Sequence, residues 1–457
     1  MTPARLSALD AAFLAIESDA APMHVGWAAL FQPPADGPLP EFDAIRAHVE
    51  RRLHRAPRYR QRLAHVPLGL DDPVWVDDPR FDIARHVCRS DHADFGQLVD
   101  EVMSTALDHD CALWELWIAD SLQDGSIGVV GKAHHCLVDG LAAVELMALL
   151  LDAEPAPEPD GDDGGGWMPR PAPNPVKLVS DAVGNQFVKA ASIARVPLHW
   201  LRDPLSLLDV PGQAWRVAQA VVHTAQPLAR PSRLNGAMPA ARHLAMVSRP
   251  FEDLRIIKRR FDATINDVLL SASAGGLRGL LEERAEPLDD VKAMVPVSVQ
   301  ALDEQWGNRI VFMFLPLPCG EADPVWRLRD IHVAMRERRR EGEPQGADTL
   351  FNAIAYAPPP VRRMASKLLA SPRLSNLTIS NIPGPNAPLY LMGCEVQRAY
   401  PIVPLTGGHG ISIGMTTVNG RACFGIYAQA ELTDDAERIA RGIDEAIDEL
   451  LERAAAA

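Results

Sequence analysis

Between Ala153 and Gly166 the sequence reads AEPAPEPDGDDGGG, a run of Pro, Gly and acidic residues with too little apolar surface to enter a core. It predicts a surface linker, and it parts two stretches that both carry α/β patterns. Before it, Val25 to Phe31 has the composition of a strand and Phe42 to Leu53 the spacing of a helix. From about Ala240 the pattern resumes, with helices predicted over Phe251 to Arg260 and Thr264 to Glu283. Strands are predicted over Ala293 to Val299, Ile310 to Leu317, Leu374 to Ser380, Ile411 to Val418 and Ala422 to Ala428. The chain closes on a helix from Thr433, where Ile439, Ile443, Ile447 and Leu450 recur at helical spacing over a Glu- and Arg-rich face. A chain of 457 residues exceeds what one hydrophobic core usually organises. The expectation is an α/β protein of two units, residues 1–152 and 240–457, with 153–239 as an acidic linker and helical connector.

The connector has its own chemistry. Trp200 and Trp215 lie among many apolar residues broken by Pro197, Pro204, Pro211 and Pro227, which predicts short helices. Lys177, Lys189, Arg195, Arg202, Arg216, Arg230 and Arg233 outnumber Asp181, Asp203 and Asp209, so this stretch is basic in a chain of net charge −15. Two readings stand: a connector packed between the units, or a segment that lies on an anionic lipid surface.

The chemistry concentrates at His134-His135-Cys136-Leu137-Val138-Asp139-Gly140. The β-prone run Ser126 to Ala133 leads straight into the two histidines, and an almost wholly apolar helix is predicted over Leu141 to Leu151. Side chains alternate faces along a strand, so His134 and His135 should point in opposite directions and need not share a role. A rigidly held neutral imidazole can take a proton from a hydroxyl near neutral pH. Metal ligation or a hydrogen-bonded core position are the plain alternatives, and no companion ligands at zinc spacing favour the first. Asp139 is placed to cap the following helix, a structural role that needs no substrate. Gly140 permits a tight turn.

The acidic balance argues against nucleic-acid partners, because phosphate binding needs clustered Lys and Arg. Cys88, Cys111, Cys136, Cys319, Cys394 and Cys423 lack CxxC spacing and read as reduced thiols. The N-terminus has no basic segment followed by an apolar run, and no apolar stretch approaches the ~20 residues of a membrane span. The expected location is the cytoplasm, with any membrane contact peripheral.

HHCLVDG resembles the HHxxxDG signature of the coenzyme A-dependent acyltransferase superfamily. The rest of the chain is similar to one branch, the bacterial wax ester synthase/diacylglycerol acyltransferases. The carriers are LSALDAAFL at Leu6 to Leu14, PMHVG at Pro22 to Gly26, WVDDPRFDIARHV at Trp75 to Val87 and LWELW at Leu113 to Trp117. TINDVLL at Thr264 to Leu270, VPVS at Val295 to Ser298, GNRI at Gly307 to Ile310 and SNIPGPNAPLYLMG at Ser380 to Gly393 follow in the family's order.

The resemblance implies two chloramphenicol acetyltransferase-like subdomains, each a mixed sheet with flanking helices. It implies acyl-CoA as a substrate rather than a cofactor, no metal, and diacylglycerol or a long-chain alcohol as acceptor, at a peripheral membrane or lipid-droplet surface. By the same resemblance His135 is the general base and His134 supports it. Asn266, Asp267 and Arg309 are implied substrate-binding residues. Thr264 and Asp267 also form a capping pattern that explains Asp267 without any substrate, and Arg309 could equally brace the fold. The chain departs from the family at Ala112, where Pro is usual, at Thr417-Val418-Asn419-Gly420, and near Asp91 to Phe95, where a Pro-Gly pair is missing. These departures leave open another acceptor, a carrier-bound acyl donor, or a lipid-binding protein with weak turnover.

Overall fold

The β-prone runs pair into two six-stranded mixed sheets in the computed structural model of the chain. It describes residues 4–34, 39–137, 150–156, 167–186, 219, 221–224, 228–230, 232–236, 239–288, 291–299, 309–355, 357, 359–385 and 387–456. The first sheet runs, in spatial order, Tyr390–Leu391, Cys394–Ile402, His24–Gln32, Ile127–His134, Trp114–Ala119 and Val87–Arg89. The second runs Arg309–Pro316, Lys292–Val299, Leu377–Ile382, Ile411–Val418, Arg421–Gln429 and Arg242–Pro250. Each contains both parallel and antiparallel pairs, and each has its own buried core. This is the expected α/β architecture of two subdomains.

The domain boundaries read from the sequence need one correction. Residues 390–402 fall inside the 240–457 unit, yet they form two strands of the first sheet, with Cys394–Ile402 antiparallel to His24–Gln32. Leu391, Val396 and Ile402 accordingly belong to the first core. The physical reason is that alternation fixes which face of a strand is buried and says nothing about which neighbour it pairs with. Of the connector, 187–218 lies outside the described residues, as does 157–166 of the linker; a helical segment is seen over 175–186.

The two units are also joined by side chains. His243, on the edge strand of the second sheet, lies 2.8 Å from Asp100 of the helix Phe95–Ser104 and 3.1 Å from Glu437 of the helix Thr433–Ala456. The hydrogen bond with Asp100 holds His243 above the ordinary imidazole range. One further N–H, from Leu244, donates to Asp100 at 3.0 Å.

The strand that carries the histidine motif is set by a close approach. A Cβ at Gly131 would lie 2.6 Å from the Trp27 ring of the neighbouring strand, so only glycine lets the indole lie across this position. Trp114 closes the other side. It is fully buried, its Nε1–H donates to the Tyr59 carbonyl at 2.8 Å, and its ring stacks on His86 at 4.9 Å between centroids.

Candidate active site

His134 ends the strand Ile127–His134, and His135 begins the turn that follows. His134 is fully buried, whereas His135, in the turn beyond the strand, is half-buried. His134 is fixed on three sides. Its N–H donates to Leu113 O at 3.0 Å, its Nδ1 accepts the Cys136 N–H at 3.0 Å, and its carbonyl accepts the Leu137 N–H at 2.9 Å. An Nδ1 that accepts leaves the ring proton on Nε2. That nitrogen faces Glu17 Oε1 at 3.5 Å, long for a well-formed hydrogen bond.

His135 is held differently. Its N–H donates to the carbonyl of Met23 at 3.0 Å, and its ring stacks on Phe13 with centroids 3.7 Å apart and planes 20° from parallel. Met23 has a left-handed backbone, with φ of 50°, which is unusual for a side chain of that size. Nδ1 of His135 is closed to solvent. A cavity of about 450 Å³ borders the turn and is lined by Cys136 and Leu137 together with Asp10, Arg58 and Trp75, a volume suited to part of a small-molecule substrate.

Glu17, His109 and His24 surround His134, and sequence reasoning singled out none of them. Glu17 caps the C-terminus of the helix Ala8–Ile16 and lies 2.9 Å from His109 Nε2. Burial alone would raise the Glu17 carboxyl, but hydrogen bonds and charge from His109 and His134 outweigh it and hold the group at about 2. The same hydrogen bond to Glu17 raises His109. His24 pairs with His134 across the two strands; burial, followed by the charges of Lys132 and His134, pushes it down to about 3, so it is neutral at working pH. A lone histidine in a run such as Asp108-His109-Asp110 reads as a solvated loop, and only the fold shows that it meets Glu17, 92 positions earlier.

The Glu17–His109 pair makes a pH prediction. Glu17 contributes stability above its ordinary 4.5, lost only as pH falls toward about 2; His109 contributes below its ordinary 6.5, lost as pH rises through its raised value. Glu17→Gln should therefore cost on the order of 1 kcal/mol between these limits and progressively less above them. Urea unfolding of both proteins across pH checks this, and a difference that grows as pH rises above 6.5 would contradict it.

The other expected site residues lie elsewhere. Asn266 and Asp267 are in the first turn of the helix Ile265–Glu283, which packs against the helices Thr433–Ala456, Pro324–Arg340 and Phe251–Phe261. Asp267 completes the capping box with Thr264 and also meets His332 Nδ1 at 2.9 Å, so its carboxylate is engaged within the protein. The Asn266 Nδ2 is a donor closed to solvent, and among the described residues nothing accepts from it. Arg309 opens the strand Arg309–Pro316 opposite Val299, and its side chain lies outside the described residues. Asp139 and Gly140 lie outside them as well. Among the described residues no three His, Cys, Asp or Glu side chains converge to hold a metal ion.

Comparison with known proteins extends over the whole chain. Residues 6–269 match the model of the wax ester synthase/diacylglycerol acyltransferase catalytic domain, and residues 306–451 match the C-terminal domain of the same family. Mycobacterium tuberculosis tgs1, named a probable diacylglycerol O-acyltransferase, is 30% identical over 98% of this chain and 95% of its own. A second Mycobacterium tuberculosis protein named as a diacylglycerol O-acyltransferase is 28% identical over 96% of this chain and 94% of its own. Among solved structures, the wax ester synthase/diacylglycerol acyltransferase of Marinobacter aquaeolei VT8 superposes with a TM-score of 0.67 at 23% identity, covering 99% of this chain and 100% of that one. The first condensation domain of the calcium-dependent antibiotic synthetase shares the fold at a TM-score of 0.58 and 13% identity, over 99% and 97% of the two chains.

Proposed function

The chain belongs to the wax ester synthase/diacylglycerol acyltransferase family of acyltransferases, and on that premise we propose that it moves a long-chain acyl group from acyl-CoA to the hydroxyl of diacylglycerol, of a long-chain alcohol, or of both. The observation that carries the reading is the placing of His135 in the family's motif: a half-buried imidazole just past the end of the strand Ile127–His134, its ring stacked on Phe13, in a chain matched along its length by that family.

In this mechanism His135 Nε2 takes the proton of the acceptor hydroxyl as that oxygen attacks the thioester carbonyl. The tetrahedral oxyanion collapses by breaking the C–S bond, and the departing thiolate receives the proton from His135. No covalent acyl-enzyme forms. His134, locked by Cys136 and Leu113, keeps the strand end and therefore the base in place. Asn266, by its place in the TINDVLL motif, is the group proposed as donor to the oxyanion, where a preoriented donor acts without reorganisation. Arg309 is a second proposed contact, with the phosphates of coenzyme A. Asp139 and Gly140, outside the described residues, keep the structural roles that the motif implies for them.

A lipid acceptor places the work at the inner membrane face or a lipid-droplet surface, with peripheral attachment; no described helix is long and apolar enough to cross a membrane. The test of substrate class is product analysis by thin-layer chromatography, with labelled acyl-CoA offered to diacylglycerol and a fatty alcohol together. Triacylglycerol, wax ester or both is the expected product. Product only with a non-lipid hydroxyl or amine would overturn the lipid assignment.

A further inference from the structure

From Thr349 to Cys394 the chain has no acidic residue, yet it carries Arg362, Arg363, Lys367 and Arg373, in a protein of net charge −15. Within this stretch the helix Pro359–Leu369 is held by its inner side. Arg362 is buried and pairs with Asp72, and the helix packs on the helices Ala8–Ile16 and Glu343–Ala355. Its outer side is apolar. Val361, Met364 and Leu368 follow one another at the three- and four-residue spacing of a single helical stripe, and are 48%, 69% and 67% exposed. Arg363 and Lys367 are exposed beside them.

A neighbouring loop adds to this face. The Arg362–Asp72 pair ties the helix to the turn at 68–72, where Leu68 is 93% exposed and Leu70 is 40% exposed. That turn is itself anchored, with Asp71 bound by Arg5 at 3.0 Å and by Asn185 at 2.7 Å. Large apolar side chains are thus presented to water by a braced backbone, beside the exposed cations Arg363 and Lys367.

We propose that the helix Pro359–Leu369, with the Leu68 turn beside it, is the surface by which this protein docks on an anionic lipid interface. An amphipathic helix with apolar and basic residues on its free side lies in the plane of such an interface, its apolar stripe among the acyl chains and its cations at the headgroups. Charge complementarity selects the occupant, because an acidic protein meets an anionic surface through a basic face. The docked helix rests directly on the helix Ala8–Ile16, which presents Phe13 to His135, so the lipid surface would be one helix away from the proposed base. This deepens the lipid-acceptor reading and rests on it for its purpose.

The experiment is sedimentation of the full chain with vesicles of phosphatidylcholine alone or enriched in phosphatidylglycerol, with turnover on a short-chain, water-dispersed acceptor measured in parallel. Wild type should bind the anionic vesicles at least about tenfold more tightly than the neutral ones, and high salt should erase the preference. The double variant Met364→Asp/Leu368→Asp should lose about tenfold or more in binding, and Arg363→Gln/Lys367→Gln should lose the anionic preference, both with unchanged short-chain turnover. Wild-type binding by the aspartate variant would overturn the proposal. So would a wild-type dimer that this variant converts to monomer, since the face would then belong to a second copy. Vesicle binding through this helix by a chain without lipid acyl transfer would support the surface while sinking the substrate reading; the two failures are distinguishable.

Discussion

Replacing His135 by alanine is expected to lower kcat/KM for acyl transfer by roughly 10²–10⁴-fold, the usual contribution of a positioned general base. The fold should survive. His135 is half-buried, and the backbone bond that anchors it, from its N–H to Met23 O, does not involve the imidazole. What is lost is the nitrogen proposed to take the acceptor proton; the other residues of the loop remain. Steady-state kinetics together with thermal unfolding separate the two effects. An alanine variant that turns over at the wild-type rate would show that some other group removes the proton.

Trp114→Ala should be the most destabilising single change in the first unit, by roughly 3–5 kcal/mol, as expected for deleting a fully buried indole. The cavity would open between Tyr59 and His86, which contact its ring at 5.6 Å and 4.9 Å between centroids. The Tyr59 carbonyl would also lose its indole donor. Trp114 pairs with Ala133 and adjoins Leu113, whose carbonyl accepts the His134 N–H, so the damage falls on the strand end that leads into the proposed base. Trp114→Phe retains most of the apolar volume and should recover more than half of the loss. Urea unfolding midpoints measure both variants; an alanine variant within about 1 kcal/mol of wild type would contradict this packing account.

Much of the fold was legible because its elements carry local signals. Helix Phe251–Phe261 and strands Lys292–Val299, Ile411–Val418 and Arg421–Gln429 lie within one or two residues of where periodicity puts them. The capping box at Thr264 and Asp267 was equally local. Partnership across distance was not legible. Nothing in CEVQRAYPI says that it leaves the second unit to pair with His24–Gln32, and nothing in the sequence around Glu17 says that it will meet His109 and His134. Such contacts are made by the assembled sheet, and local pattern carries no record of them.

The acceptor-dependent release of coenzyme A tests the central claim most directly. Purified chain is given long-chain acyl-CoA, with or without diacylglycerol or a fatty alcohol, and free thiol is followed with time. Direct attack by a hydroxyl activated at His135 predicts thiol release only when an acceptor is present, with an equimolar amount of ester formed. Thiol released at the same rate without an acceptor, as a burst or as steady hydrolysis, would contradict it.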